Sequence, residues 1–195
     1  MTLTFSTMLE LGTAAPDFNL PDVVSGKRIT LATFSDAPVV LVMFICRHCP
    51  FVRHVQDELA RLGRNYEHAA GIVGISSNDA DRYEDDSPES LKAWAQSLEF
   101  TFPVCFDAAQ SVAKAYTAAC TPDLFLFDAK RLLIYRGQLD DSRPGNGKEP
   151  TGRDIRAALD AALAGRTVDP VQRPSAGCNI KWKPGNAPAY FSVRT

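Results

Sequence analysis

The fold is decided by Leu41-Val42-Met43-Phe44-Ile45-Cys46-Arg47-His48-Cys49-Pro50-Phe51-Val52. Val39 to Ile45 is an unbroken apolar run with β-branched side chains at Val39, Val40, Val42 and Ile45. Such a run is too short for a globular helix and predicts a central strand covered on both faces. After Pro50 the period changes. Val52, Val55, Leu59 and Leu62 recur at helical spacing, while Arg53, His54, Gln56, Asp57, Glu58 and Arg61 fill the opposite face, which predicts an amphipathic helix. Proline is tolerated at the first helical position because the N–H it lacks would have had no intrahelical partner, so Pro50 marks the start and Gly63 reads as the C-terminal cap. Two cysteines three residues apart therefore sit between the end of a buried strand and the start of a helix.

Working outward, Gly71 to Ser76 is a second short buried strand, and strand, helix and strand close as a right-handed parallel crossover. Asn78 to Asp86 is a polar, mostly acidic loop. Ser87 caps and Pro88 opens a helix to about Leu98, followed by a strand within Phe102 to Phe106 and a helix over Ala109 to Ala118. Leu124 to Phe127 and Leu132 to Tyr135, separated by Asp128-Ala129-Lys130-Arg131, read as a β-hairpin. Thr151 to Ala164 makes a last helix stopped by Gly165. On the N-terminal side, Ala14 to Pro21 alternates between two prolines and reads as a short edge strand, with Ile29 to Leu31 as another; the first dozen residues carry no period. Prolines at 170, 174, 184 and 188 exclude a long regular element beyond Thr167. Cys178, Trp182, Tyr190 and Phe191 make that tail too apolar for a disordered end, so it is expected to lie back on the domain.

The chain has 195 residues, 45% of them apolar, which suits one domain with extensions. A net charge of −2 offers no excess of Lys and Arg for phosphate, so nucleic acid is not an expected partner. No run of apolar residues is long enough to span a membrane, and Met1-Thr-Leu-Thr-Phe-Ser6 has neither a basic nor an apolar leader segment; the expectation is a cytoplasmic protein. The cysteines, Cys46, Cys49, Cys105, Cys120 and Cys178, are five in number, an odd count that argues against a structural disulfide framework. A closely spaced pair in a reducing compartment points instead to catalysis or metal binding.

Alternating strands and helices, a cysteine turn behind a buried strand, Thr121-Pro122 ahead of an apolar hairpin, and the opening Ala15-Pro16-Asp17-Phe18-Asn19-Leu20 together resemble the thioredoxin fold. The likeness is to the branch shared by peroxiredoxins and thioredoxin-like reductases, the AhpC/TSA-like proteins. It covers about residues 13 to 165 and implies an α/β fold of three layers around a central mixed sheet, with an N-terminal strand extension and an irregular tail, residues 166–195, packed on the core. Laid on Leu41 to Val52, the reductase pattern places the family's attacking cysteine on Cys49 and its second cysteine on Val52. Peroxiredoxins have their attacking cysteine at the same helix start, with proline seven and threonine three residues before it. Here those positions hold Val42 and Cys46. The resemblance also makes Thr121-Pro122 the cis-proline loop that packs beside the cysteine turn and pairs with a disulfide partner through its backbone.

The chemistry of the residues agrees. With Pro50 opening the helix, Cys49 is the N-cap, where unpaired N–H groups and the positive end of the helix dipole favour a thiolate. Arg47 and His48 add positive potential, and the thiolate is the reactive species. Cys46 is placed to resolve a mixed disulfide on Cys49. Against this stands the plain alternative of two small residues at the top of a sheet, although a Cys-x-x-Cys pair in such a pattern is itself a redox signature. Cys120, next to Thr121, is either an additional redox thiol or a buried small residue. Cys178 either folds over the active turn as a resolving thiol or sits in a tail that covers an apolar face. Cys105 reads as core.

Three functions compete. The first is a thiol-disulfide oxidoreductase in which Cys49 attacks a protein or small-molecule disulfide, Cys46 resolves it, and an external dithiol recharges the pair. The second is a thiol peroxidase in which Cys49 attacks peroxide and its sulfenic acid condenses with Cys46, Cys120 or Cys178; without the threonine hydroxyl that orients peroxide it is disfavoured. The third is a copper or zinc module using Cys46, Cys49 and His48 or His54, against which no second Cys/His cluster has the spacing of a closed site. Asp140, Asp141 and Arg143 line the cleft or simply end a charged loop. No cofactor is expected, and a homodimer is compatible with the sequence.

Overall fold

The computed structural model describes residues 3–191. Its strands are β1 (Leu3–Phe5), β2 (Asn19–Pro21), β3 (Arg28–Thr30), β4 (Val40–Phe44), β5 (Gly71–Ser76), β6 (Val104–Phe106), β7 (Cys120–Thr121), β8 (Asp123–Phe127), β9 (Leu133–Gly137) and β10 (Ala176–Asn179). Its helices are α1 (Pro50–Tyr66), α2 (Pro88–Ser97), α3 (Ser111–Ala115) and α4 (Arg153–Leu163).

β4 is central because it is apolar on both faces. It pairs in parallel with β5 on one side and antiparallel with β8 on the other, in a five-stranded mixed sheet of order β6-β5-β4-β8-β9. Alternate side chains of a strand point to opposite faces, and β4 divides the core accordingly. Leu41 and Met43, with Ile45 beyond the strand, pack with α1, α2 and α4; Val40, Val42 and Phe44 pack with Val112 and Tyr116 around α3, with Phe18, and with Leu20 and Ile29 of the β2–β3 hairpin. This is the three-layer thioredoxin-like arrangement. Leu59 and Leu62 of α1 are fully buried, each contributing roughly 1.5–3 kcal/mol relative to exposure.

Several sequence expectations change. The helix α1 does not stop at Gly63 but runs one turn further, to Tyr66. Gly63 serves close packing instead: a Cβ there would lie 2.8 Å from Phe102 Cδ1. Glu58, expected on the polar face, is buried and paired with Arg61 and Arg156. The helix α3 is shorter than Ala109 to Ala118, because Gln110 and Thr117 on its two sides have left-handed backbones, with φ of 59° and 50°. Only Asn19–Pro21 of the Ala14–Pro21 stretch is strand. The N-terminal residues without a period do form one: Leu3, Thr4 and Phe5 pair with Cys178, Gly177 and Ala176.

That last pairing positions the site. β10 lies between β1 and β7 in a small antiparallel sheet of its own, with Cys178 opposite Thr121 and Asn179 opposite Cys120. The tail thus crosses back to the loop that precedes β8. Among the described residues, no helix is long and apolar enough to cross a membrane.

Candidate active site

The sulfur of Cys49 lies where β4, α1, β7 and β10 converge. Cys49 is the N-cap of α1, extended at φ −70° and ψ 122°, with Pro50 next to it. The Thr121–Pro122 peptide is cis, and Cys49 Sγ lies 3.2 Å from the Thr121 carbonyl oxygen, to which the thiol form donates. The Thr121 hydroxyl lies 3.3 Å from Cys46 Sγ. One residue of the cis-proline loop therefore touches both cysteines of the turn.

Two other thiols, those of Cys46 and Cys178, act on Cys49. Donation from Cys178, then from Cys46, holds Cys49 well below the ordinary thiol range against the opposing effect of burial, with the Thr121 side chain and the Val52 backbone N–H adding to it. The converse holds for the donors. Burial and the hydrogen bond to Cys49 push Cys46 well up, and the hydrogen bond to Cys49 followed by burial pushes up Cys178. Within this cluster the pKa of Cys49 is driven down and those of Cys46 and Cys178 are driven up. All three residues are buried.

Arg47 and His48 act on the turn through carboxylates. Arg47 turns outward to Asp85, its Nη1 3.3 Å from Oδ1. The fully buried Asp86 accepts from the backbone N–H groups of Arg47 and His48 at 2.8 and 3.2 Å, and from Asn78 Nδ2 at 2.8 Å. It also lies 2.5 Å from His48 Nδ1. His48 stacks on Tyr83 at 5.1 Å between centroids. Asp86 thereby fixes the backbone between the two cysteines. Nothing in the acidic run Glu84-Asp85-Asp86 singles it out by sequence, since only the folded chain carries it under the turn.

Cys46 Sγ, His48 and Asp86 offer donor atoms within 4.8 Å of one another. His48 Nδ1 and Asp86, however, are already engaged with each other, and Cys49 is not one of that group. His54 is remote from the cluster's chemistry, its Nε2 2.6 Å from Ser142 Oγ. Asp140 and Arg143 line a narrow cleft with Phe51 and Pro122, where Asp140 accepts from the N–H groups of Ser142, Thr151 and Gly152 and so shapes the loop. Cys120 is buried, with its thiol 3.6 Å from the Pro122 carbonyl, and burial pushes its pKa well up. Cys105 lies in the core on the α3 side of the sheet, its thiol pushed up to about 12.

This fold and this cluster define a thiol-redox protein of thioredoxin-like architecture. The chain belongs to the AhpC/TSA family, whose model matches residues 11–136. It is 51% identical to an uncharacterized conserved protein of Geobacillus kaustophilus, over 95% of this chain and 98% of that one, with a TM-score of 0.92. It is 50% identical to the hypothetical protein SMc02350 of Sinorhizobium meliloti, over 93% and 100% of the two chains, also with a TM-score of 0.92. A thioredoxin family thiol:disulfide interchange protein of Chlorobium tepidum shares the fold at 18% identity, over 79% and 98%, with a TM-score of 0.60. No functionally curated protein matches the chain.

Proposed function

We propose that the protein is a thiol-disulfide oxidoreductase in which Cys49 is the attacking thiolate. The observation that carries this reading is the position of Cys49 at the N-cap of α1, beside a cis-proline loop and with two thiols donating to its sulfur. A thiolate stabilised in this way is both the nucleophile and the better leaving group in exchange. Cys49 attacks one sulfur of the substrate disulfide, forming a mixed disulfide and releasing the other half as a thiolate. A second thiol of the site then loses its proton, attacks Cys49 Sγ and expels the remaining half. Cys46, three residues before Cys49, is the resolving thiol that the spacing of the motif suggests. Two electrons have passed to the substrate, and an external dithiol returns them.

Thiol peroxidase chemistry is the second reading, favoured by the AhpC/TSA family match. Against it, the residues three and seven positions before Cys49 are Cys46 and Val42, where peroxiredoxins have threonine and proline. The proposal is tested by turnover of a model disulfide and of hydrogen peroxide under the same dithiol reductant. Faster disulfide turnover, abolished in Cys49→Ser, is expected; faster peroxide turnover reverses the order of the two readings.

A further inference from the structure

The geometry points to Cys178, delivered by the tail strand β10, as the thiol that closes a disulfide with Cys49. This rests on Cys49 being the attacking thiolate and replaces Cys46 only in the resolving step.

The residue before the cis-proline, Thr121, offers a backbone edge beside the Cys49 sulfur, and strand addition is a general way for an extended segment to pair with such an edge. In this protein β10 lies there. Cys178 is the residue opposite Thr121, and the carbonyl of that same Thr121 is 3.2 Å from Cys49 Sγ, so the two thiols flank one residue. The tail therefore lies along the cis-proline loop with a cysteine opposite Thr121, whose carbonyl is 3.2 Å from Cys49 Sγ.

A second observation shows that this approach is built in. Gly177, beside Cys178, has room for no side chain: a Cβ would lie 2.0 Å from the Thr121 carbonyl oxygen. The tail enters through a similar contact upstream, where a Cβ on Gly137 would lie 2.3 Å from the Arg173 carbonyl oxygen. Glycine at 177 lets the strand close on the cis-proline loop and carries Cys178 with it. Cys46 is held differently, its sulfur 3.3 Å from Thr121 Oγ1 and 3.9 Å from His48 Nδ1.

The step balances. Once substrate has formed a mixed disulfide on Cys49, the return of β10 brings Cys178 to the Cys49 sulfur. Cys178 gives up its proton to the departing thiolate, the Cys49–Cys178 bond forms, and the bond to the substrate half breaks. Cys46 remains a thiol throughout, as a donor to Cys49. An external dithiol reduces the Cys49–Cys178 disulfide.

The test is mass spectrometry of the full chain after reaction with oxidised glutathione, alkylation and non-reducing tryptic digestion. Cleavage after Arg47 separates Cys46 from Cys49, so the partner of Cys49 is read directly. In the wild type, a cross-link between the Cys49 and Cys178 peptides is expected, with Cys46 alkylated. Cys178→Ser accumulates glutathione on Cys49, Cys46→Ser retains the cross-link, and Gly177→Ala loses most of it. A Cys46–Cys49 cross-link with Cys178 alkylated overturns the inference and leaves Cys49 as the nucleophile. A Cys49 that takes up no glutathione in any variant and forms no cross-link overturns both. The wild-type map needs no variant to fold.

Discussion

Cys178 and Thr121 stand directly opposite one another in an antiparallel strand pair, which lays the chain's own tail along the cis-proline loop and over Cys49. Cys49 is fully buried. A short strand thus lies along the loop that touches the thiol, and residues more than a hundred positions from the cysteine turn complete its surroundings.

Gly177→Ala tests that arrangement. The added methyl group meets the Thr121 carbonyl oxygen, and β10 must shift. Overpacking of this kind costs about 1–3 kcal/mol. Thermal unfolding should show the loss, and a bulky maleimide should label Cys49 faster in the variant than in the wild type. Unchanged labelling would mean that the strand does not guard the thiol.

Asp86→Ala removes the acceptor of the Arg47 and His48 N–H groups and of Asn78. Hydrogen bonds to a charged group contribute about 1.5–3 kcal/mol each in favourable cases, and leaving buried donors unpaired adds to the cost. Denaturant titration should show a loss of at least about 3 kcal/mol. Asp86→Asn, which keeps an acceptor, should recover part of it.

Asp123, the first residue of β8, gives the fold a pH dependence. Burial raises its pKa to about 7, against hydrogen bonds that favour the charged form, including one from the Ala119 N–H at 3.2 Å. A carboxyl whose folded pKa is raised binds its proton more tightly in the native state. Its contribution is full below the unfolded pKa of about 4 and is lost as pH rises through about 7. Asp123→Asn should remove this slope, becoming more stable relative to the wild type by on the order of 2–4 kcal/mol between those limits. Melting temperatures of both proteins across the range check it; parallel curves would show that Asp123 does not titrate there.

Much of the architecture was legible in the sequence. The apolar run of β4 and the helical period after Pro50 are local signals, and they place Cys49 at the helix start without any long-range information. The limits of α1 and α3 were not legible, because Gly63 packs on Phe102 rather than capping, and because left-handed Gln110 and Thr117 truncate a helix-like composition. Ala176-Gly177-Cys178-Asn179 lacks any period, and a four-residue strand among prolines does not declare which edge it joins. That edge is chosen by tertiary pairing, and with it the neighbour of Cys49. The buried Asp86 was hidden for the same reason, as one of three consecutive acids.

Cys46→Thr places a hydroxyl three residues before the nucleophile, beside Cys49 and within reach of Thr121 Oγ1. A positioned donor at a reacting oxygen is worth tenfold or more, so the rate with hydrogen peroxide should rise by at least about tenfold. Competition kinetics against a peroxide-consuming standard measures it. No gain would show that the missing hydroxyl is not what sets the peroxide rate.

The central claim is that Cys49 is the attacking thiolate, and the most direct measurement is its first encounter with a limiting aromatic disulfide at about pH 6, where ordinary thiols are protonated. Initial release of the aromatic thiolate should be rapid, its rate nearly constant from about pH 5 to about pH 8 because Cys49 is ionised throughout. It should fall at least about a hundredfold in Cys49→Ser, with the first label on the Cys49 peptide. A Cys49→Ser protein that keeps the wild-type rate, or a first label on Cys46 or Cys178, would contradict the account.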